Sequence, residues 1–322
     1  MNDGDICSNI ISVRSFFINY GDRMNKFPDL TRWFNVTTYC DFNDCRKIEI
    51  NMKSGLTYQD INSFCNEFAK YLCRIRCPQS AHLNIMIKSI DSGCDIETEE
   101  KAFWRNIFFR GFISQEKFNG YGDYTKSFDD DAILGYIGEA LYYVVRAQIL
   151  EDEKVCIEPS RPKFYSKDTG IDFLEIRKET SGYYMIIGEI KATKNTISSR
   201  AKEIIESFKL RADKNFSELC VALQDRHIPV DNLELSEFIS NMCDLFYHIG
   251  QKPSLQKRYG GIINYNFRGQ KIRDSAFHDF KEQLTGKVAD ENCCRRLALV
   301  GIYNIENIID QVRDTIWNKI VT

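Results

Sequence analysis

Two acidic residues and a lysine lie near one another in the stretch Gly170 to Thr193, each on a short apolar run. Asp172 lies on the first run, and Glu189 and Lys191 end the second. Carboxylate oxygens are hard ligands that suit Mg²⁺, and a lysine held beside the metal can balance negative charge on a phosphate. These residue types at this spacing favour hydrolysis of a phosphodiester bond.

The two apolar runs predict a β-hairpin, because the polar segment between them, residues 178–182, ends in glycine. Side chains alternate along a strand, so Glu189 and Lys191 project from one face. In one register Asp172 lies directly opposite Glu189, with Cβ atoms roughly 4.5–5.5 Å apart, and both carboxylates can share one metal ion. A register slipped by one residue pairs Asp172 with Gly188 and sends the carboxylates to opposite faces.

An upstream helix supplies a further candidate carboxylate. Residues 131–150 carry apolar side chains at helical spacing, and Glu139 falls away from that stripe. The neighbouring Gly135 and Gly138 would let another backbone or a ligand come close. Glu139 is therefore a candidate metal ligand, direct or through water, and a solvated helix face is the alternative.

Length and composition are those of an ordinary globular protein of about two domains, with 322 residues. We expect a boundary in the polar segment near residue 124, between an N-terminal α+β domain (1–124), which would bind a partner, and a catalytic domain (125–322). From residue 131 the order helix, strand, strand, helix, strand, helix predicts a mixed sheet flanked by helices, an α/β fold. The predicted helices are 57–73, 99–112, 131–150, 198–214, 233–247 and 305–320, and the further strands are 82–87, 218–224, 261–267 and 296–303.

A net charge of −3 does not predict a nucleic-acid binder, but residues 251–273 contain six basic residues and no acid, interleaved with Tyr259, Tyr265 and Phe267. Such a segment can track a phosphate backbone and stack on bases, and a solvated loop with an edge strand is the alternative. A basic helix follows the hairpin. The candidate nucleic-acid-binding residues are Lys194, Arg200, Lys202, Lys257, Arg258, Arg268 and Lys271.

The chain has the features of a cytoplasmic protein. Its acidic N-terminus lacks the basic and apolar parts of a secretory signal, and no apolar run approaches membrane-spanning length, so we expect no membrane partner. Twelve cysteines without a signal peptide indicate reduced thiols. Cys73, Cys77 and His82 lack a fourth zinc ligand at a recognisable spacing.

The pattern of Asp172, sixteen intervening residues and then Glu189-Ile190-Lys191 resembles the PD-(D/E)xK nucleases, which have a restriction-endonuclease-like fold. Ile171 stands where the family pattern has proline. The resemblance implies that Asp172 and Glu189 bind the metal, Mg²⁺ or Mn²⁺, that Lys191 is the catalytic lysine, and that Glu139 is the acid often found on the first core helix.

Over roughly residues 120–210, GYIGEALYYVV, GIDFLEI, GEIKAT and the basic helix are together similar to the HamA family, the nuclease subunits of Hachiman antiphage defence systems. This resemblance implies a metal-dependent DNA nuclease controlled by a HamB-like helicase subunit. The chain has no Gly-x-x-x-x-Gly-Lys-Ser/Thr phosphate loop, so an ATP-driven motor would be another polypeptide. The alternative is a non-catalytic DNA-binding or helicase-adaptor subunit that retains the nuclease fold.

Overall fold

A computed structural model describes residues 27–41, 45–77, 80–112, 129–149, 154–157, 172–179, 182–194, 197, 199–208, 233–247, 257–268 and 295–321. A 3₁₀ turn, Leu30–Arg32, precedes the first strand. The strands are β1 Phe34–Asp41, β2 Cys45–Met52, β3 Lys154–Ile157, β4 Phe173–Glu179, β5 Gly182–Thr193, β6 Lys257–Asn266 and β7 Arg295–Ile302. The helices are α1 Tyr58–Arg76, α2 Ala81–Ser92, α3 Thr98–Phe112, α4 Asp130–Ile149, α5 (residues 199–208), α6 Leu233–Tyr247 and α7 Ile305–Val321.

All seven of these strands form one mixed sheet in the order β1-β2-β7-β6-β5-β4-β3. The four inner strands β2, β7, β6 and β5 are parallel, whereas β1, β4 and β3 are joined to their neighbours by antiparallel pairing. Parallel strands are buried on both faces, and the apolar sequences of β6 and β7 meet that requirement. The predicted mixed α/β fold is confirmed.

Helices cover the two faces of the sheet and bury two apolar layers. On one face, α1, α4 and α7 pack with Ile190 of β5, Ile262 of β6 and Val300 of β7. On the other face, α5 and α6 pack with Ile187 of β5 and Ile263 of β6. Residues that follow one another along β5, or along β6, therefore point alternately into the two layers, as strand alternation requires.

The predicted boundary near residue 124 lies outside the described residues. Strands from both sides of it belong to the same sheet, because β2 pairs in parallel with β7. The first apolar layer also contains residues from both sides, including Phe64 of α1 and Ile308 of α7. The described parts of the N-terminal and C-terminal segments therefore share one core.

Most predicted elements are present, and their ends follow local chemistry. Thr57 caps α1 as predicted: its hydroxyl accepts from the backbone of Asp60, and the Asp60 carboxylate accepts from the backbone of Thr57. One prediction was wrong, since residues 82–87 are not a strand but lie in α2. The Ser80 hydroxyl accepts from Leu83 N–H and Gly93 ends the helix at φ 75°, so caps at both ends fix a segment whose apolar pattern was ambiguous.

One predicted strand cannot be compared with the structure, and one strand of the structure was not predicted. Residues 218–224 are outside the described residues. β3 was not predicted, although it pairs with β4 and extends the sheet beyond the hairpin. Four residues with one bulge carry too short a pattern to be recognised in the sequence.

Candidate functional site

The register of the β4–β5 hairpin brings the two candidate carboxylates together. Phe173 pairs with Gly188, and the same register continues to Glu179 opposite Gly182. One further step places Asp172 opposite Glu189, which is the register that allows the two carboxylates to share a metal ion. Asp172 is 8% exposed and Glu189 is 2% exposed, so both carboxylates lie inside the protein.

Asp172 is tied to the strand it faces. Its Oδ2 accepts a hydrogen bond of 2.7 Å from the backbone N–H of Ile190. A charge-assisted bond to a backbone donor holds an aspartate strongly, because the ionised acceptor roughly doubles the strength of a neutral bond. The bond fixes the carboxylate at the start of β4 beside the second acid.

Lys191 completes the cluster. Its Nζ lies 2.6 Å from Oε1 of Glu189, and its side chain is 27% exposed. The ion pair in the structure joins Lys191 to Glu189. The ammonium therefore lies at the boundary between the buried carboxylates and solvent.

This donor set fits a divalent cation. Mg²⁺ is commonly held by one or two carboxylates together with waters and phosphate oxygens, and Asp172 and Glu189 provide two carboxylates from adjacent strands. Among the described residues, no group of three or more histidine, cysteine, aspartate or glutamate side chains is placed to hold a metal. Waters and phosphate oxygens can fill further positions around a metal that two carboxylates hold.

An aromatic contact supports the pair from the opposite face of the sheet. Phe173, next to Asp172, lies over Gly188, next to Glu189, so closely that a Cβ on Gly188 would be 1.7 Å from Cζ of Phe173. The ring of Tyr142 on α4 stacks on Phe173 with centroids 4.4 Å apart. Glycine at 188 is thus required by close approach, and the contact fixes the backbone on both sides of the carboxylates.

The sheet separates the pair from the helix that carries Glu139. α4 packs in the same apolar layer as Ile190, whereas Ile187 packs with α5. Glu189 has the same strand parity as Ile187, so its side chain projects toward the α5 face. Glu139 itself is half-buried on α4.

Glu139 has polar neighbours of its own. Burial raises the pKa of Tyr136, and the negative charge of Glu139 adds to that shift. The hydroxyl of Tyr136 accepts a hydrogen bond of 2.5 Å from Nε of Arg76, at the end of α1. The structure therefore brings together Asp172, Glu189 and Lys191, and Glu139 as a ligand remains a prediction.

Replacing Glu139 by glutamine tests whether Glu139 is a metal ligand. For the DNA hydrolysis that the sequence resemblance implies, we expect from the placement of α4 that Glu139→Gln lowers the rate far less than Asp172→Asn does, because the amide keeps the shape of the side chain and the Asp172–Glu189 pair is unchanged. The measurement is the cleavage rate of each variant at saturating Mg²⁺. A loss as large as that of Asp172→Asn would make Glu139 a metal ligand.

Two of the candidate nucleic-acid-binding residues are held by acids. Lys194 Nζ lies 2.8 Å from Oε1 of Glu306 on α7, and this hydrogen bond raises the pKa of Lys194. Arg200 Nη1 lies 2.6 Å from Oε2 of Glu203, one turn along α5. Lys202, on the same helix, is exposed. Contact of Lys194 or Arg200 with a phosphate would replace an existing ion pair.

Residues 257–268 are the described part of the basic segment 251–273. Within them, residues 259–265 form neither an exposed surface for nucleic acid nor a solvated loop with an edge strand. β6 lies between β5 and β7, and Tyr259 and Tyr265 are each 5% exposed. These rings cannot stack on bases in the folded protein, and the strand is not an edge strand, so both interpretations were wrong for residues 259–265. Lys257 and Arg268 lie beyond opposite ends of this buried run, and the strand Lys257–Asn266 between them spans about 30 Å. Lys271 lies outside the described residues.

Comparisons with known proteins give no family for this chain. No protein-family model matches it, and the search of curated proteins finds no match. Within the described ranges, no helix is both long enough and apolar enough to cross a membrane. Fold and site together define a mixed α/β protein with two buried carboxylates and a partly exposed lysine on a hairpin inside its sheet.

Proposed function

We propose that the protein is a metal-dependent DNA nuclease that hydrolyses phosphodiester bonds with Mg²⁺ or Mn²⁺. The observation that carries the proposal is the hairpin register, which sets Asp172 opposite Glu189 with Lys191 at 2.6 Å from Glu189. Buried carboxylates are costly unless they are paired or bind a metal. Here two buried carboxylates, Asp172 and Glu189, lie together beside the partly exposed ammonium of Lys191.

Each side chain has a distinct task in this reaction. Asp172 and Glu189 would hold the metal, which supplies Lewis acidity to a phosphate oxygen and lowers the pKa of a water. Lys191 orients the attacking water and stabilises the negative charge that grows on the phosphoryl group. The bond from Ile190 N–H keeps the Asp172 carboxylate fixed, so the geometry is preorganised before DNA binds.

The effector role and the partner rest on the sequence resemblance over residues 120–210. On that basis we propose that the nuclease acts in an antiphage defence system and is controlled by a helicase subunit. Co-expression with a helicase encoded beside it, followed by affinity purification, tests the partnership. A helicase that neither co-purifies nor changes cleavage would remove this part of the proposal and leave the nuclease chemistry standing.

A specific observation favours one second candidate, a non-catalytic DNA-binding or helicase-adaptor subunit. Lys191 bonds Glu189 directly, and an ion pair of this kind can be purely structural. In that case Mg²⁺ would change neither DNA binding nor thermal stability.

Plasmid DNA incubated with the protein, with Mg²⁺ or a chelator and with or without the candidate helicase, tests the proposal. We expect cleavage that requires the metal and is lost in the double variant Glu189→Ala, Lys191→Ala. The matched control is the double variant Lys178→Ala, Glu234→Ala, which removes an exposed ion pair of 2.7 Å near the other end of the hairpin. Cleavage that survives loss of the Glu189–Lys191 pair would refute the site, and absence of cleavage in every condition would favour the adaptor.

A further inference from the structure

An asparagine lies in the apolar layer behind the lysine of the proposed site. Asn264 is 1% exposed and pairs with Ala192 across the β5–β6 ladder. It has the same strand parity as Ile262, so its side chain points into the layer formed with α4 and α7. A polar side chain in this position needs a physical reason, because burying it without good partners destabilises the fold.

The amide of Asn264 bridges a strand and a helix. Its Nδ2 lies 3.4 Å from the backbone oxygen of Lys191 and 3.4 Å from that of Gly138 on α4. The close approach depends on glycine, since a Cβ on Gly138 would lie 2.9 Å from Nδ2 and 3.2 Å from Cβ of Ala192. Helix α4 and the end of β5 are therefore joined through one side chain at the lysine.

The other end of the amide is unsatisfied. No donor reaches Oδ1 of Asn264 within the described structure, although the atom is buried. A buried acceptor without a donor destabilises a fold, and the two long bonds of Nδ2 do little to offset that cost. Asn264 is thus unfavourable for the stability of the fold, and its amide contacts the backbone of Lys191.

We propose that Asn264 is a positioning residue, which holds the Lys191 backbone so that the ammonium is correctly placed beside Glu189. The inference rests on the proposed nuclease function and adds a residue from β6 to it. Asn264 does not touch the substrate, and it acts through the carbonyl oxygen of Lys191. A displacement of about 1 Å in a catalytic group can lower a rate about a hundredfold.

Asn264→Leu separates positioning from stability. Leucine fills similar space and leaves no unsatisfied oxygen, so we expect the melting temperature to stay the same or rise. In the same variant we expect the rate of cleavage at saturating DNA to fall about a hundredfold, with the affinity for DNA unchanged. Ile262→Leu, on the same strand and face, is the matched control for repacking and should keep the wild-type rate. Cleavage by Asn264→Leu at the wild-type rate would overturn the proposal.

Asn264→Asp adds a readout in pH. An ionised carboxylate repels the carbonyl oxygens of Gly138 and Lys191, whereas a protonated carboxyl can donate to one of them. Burial raises the pKa of a carboxyl group, so the group takes up its proton as the pH falls. We expect the cleavage rate relative to wild type to increase with decreasing pH. A relative rate that is flat with pH would contradict the role of the donated hydrogen bond.

NMR of protein labelled with ¹³C at the lysine ε carbons distinguishes failure of this inference from failure of the proposed function. The Lys191 signal is assigned by its loss in Lys191→Arg. A signal that moves in Asn264→Leu, in a protein that cuts no DNA, would support positioning and refute the nuclease. An unmoved signal in a protein that does cut DNA would refute positioning alone.

Discussion

Asp172→Asn is expected to lower the rate of DNA cleavage about a thousandfold. The metal supplies several kcal/mol of transition-state stabilisation, and each 1.4 kcal/mol corresponds to a factor of ten in rate. An asparagine oxygen can still accept the bond from Ile190 N–H, which is 2.7 Å long in the structure, so the hairpin should be unchanged. The measurement is single-turnover cleavage of a labelled duplex, which reports the chemical step.

Calorimetric titration with Mg²⁺ gives this variant a readout that does not depend on activity. We expect weaker Mg²⁺ binding than in wild type, while the thermal unfolding midpoint without metal stays close to that of wild type. If Asp172→Asn cleaves DNA at an undiminished rate, Asp172 is not a ligand and the paired carboxylates have a structural role. A matched loss of activity and of folding would instead show that the ionised carboxylate of Asp172 is needed for the fold itself.

Gly188→Ala is expected to destabilise the protein by about 3 kcal/mol, at the upper end of the range for overpacking a core. The added Cβ would lie 1.7 Å from Cζ of Phe173, and that ring cannot retreat because Tyr142 stacks on its other side. The backbone next to Asp172 and Glu189 must then shift. Urea denaturation measures the free energy of unfolding, and cleavage should fall with it.

Gly260→Ala is the matched control on β6. A Cβ there would lie 3.1 Å from the same Phe173 carbon, which a small shift can relieve, so we expect a much smaller loss of stability. Adding Phe173→Leu to Gly188→Ala should recover part of the lost stability, because the smaller side chain removes the clash. If the two single changes are simply additive, the steric contact does not explain the requirement for glycine.

The hairpin is the part of the site that the sequence predicted well. Two apolar runs and a polar connection ending in glycine determined the strands, and alternation placed Glu189 and Lys191 on one face. The sequence left the register open between two alternatives, and the pairing of Phe173 with Gly188 selects one of them. Only two residues lie between paired Glu179 and Gly182, and so short a connection leaves little freedom for slippage.

Strand order was not available from local pattern. The segment 257–268 combines basic residues with tyrosines, which is equally compatible with an exposed surface and with a buried strand flanked by charges. Pairing of β6 with both β5 and β7 decides between them and buries Tyr259 and Tyr265. These partners come from distant parts of the chain, so no window of sequence contains the information.

The same limit applies to α4. Helical periodicity separated Glu139 from the apolar stripe, but it did not say which face of the sheet the helix would cover. Asn264 was not identified either, although an asparagine between Ile263 and Tyr265 in a predicted strand was a signal that could have been followed.

Local sequence pattern was enough to predict Asp172 on one strand, Glu189 and Lys191 two residues apart on the next, and most of the helices around them. Those features are local, because they depend on alternation and on a short connection. Only the tertiary structure decided that the carboxylates are buried, that Phe173 and Tyr142 support them from behind, and that α4 lies on the opposite face from the pair. The burial of the carboxylates and the face of the sheet that α4 covers both depend on which distant segments of the chain pack together in the complete sheet.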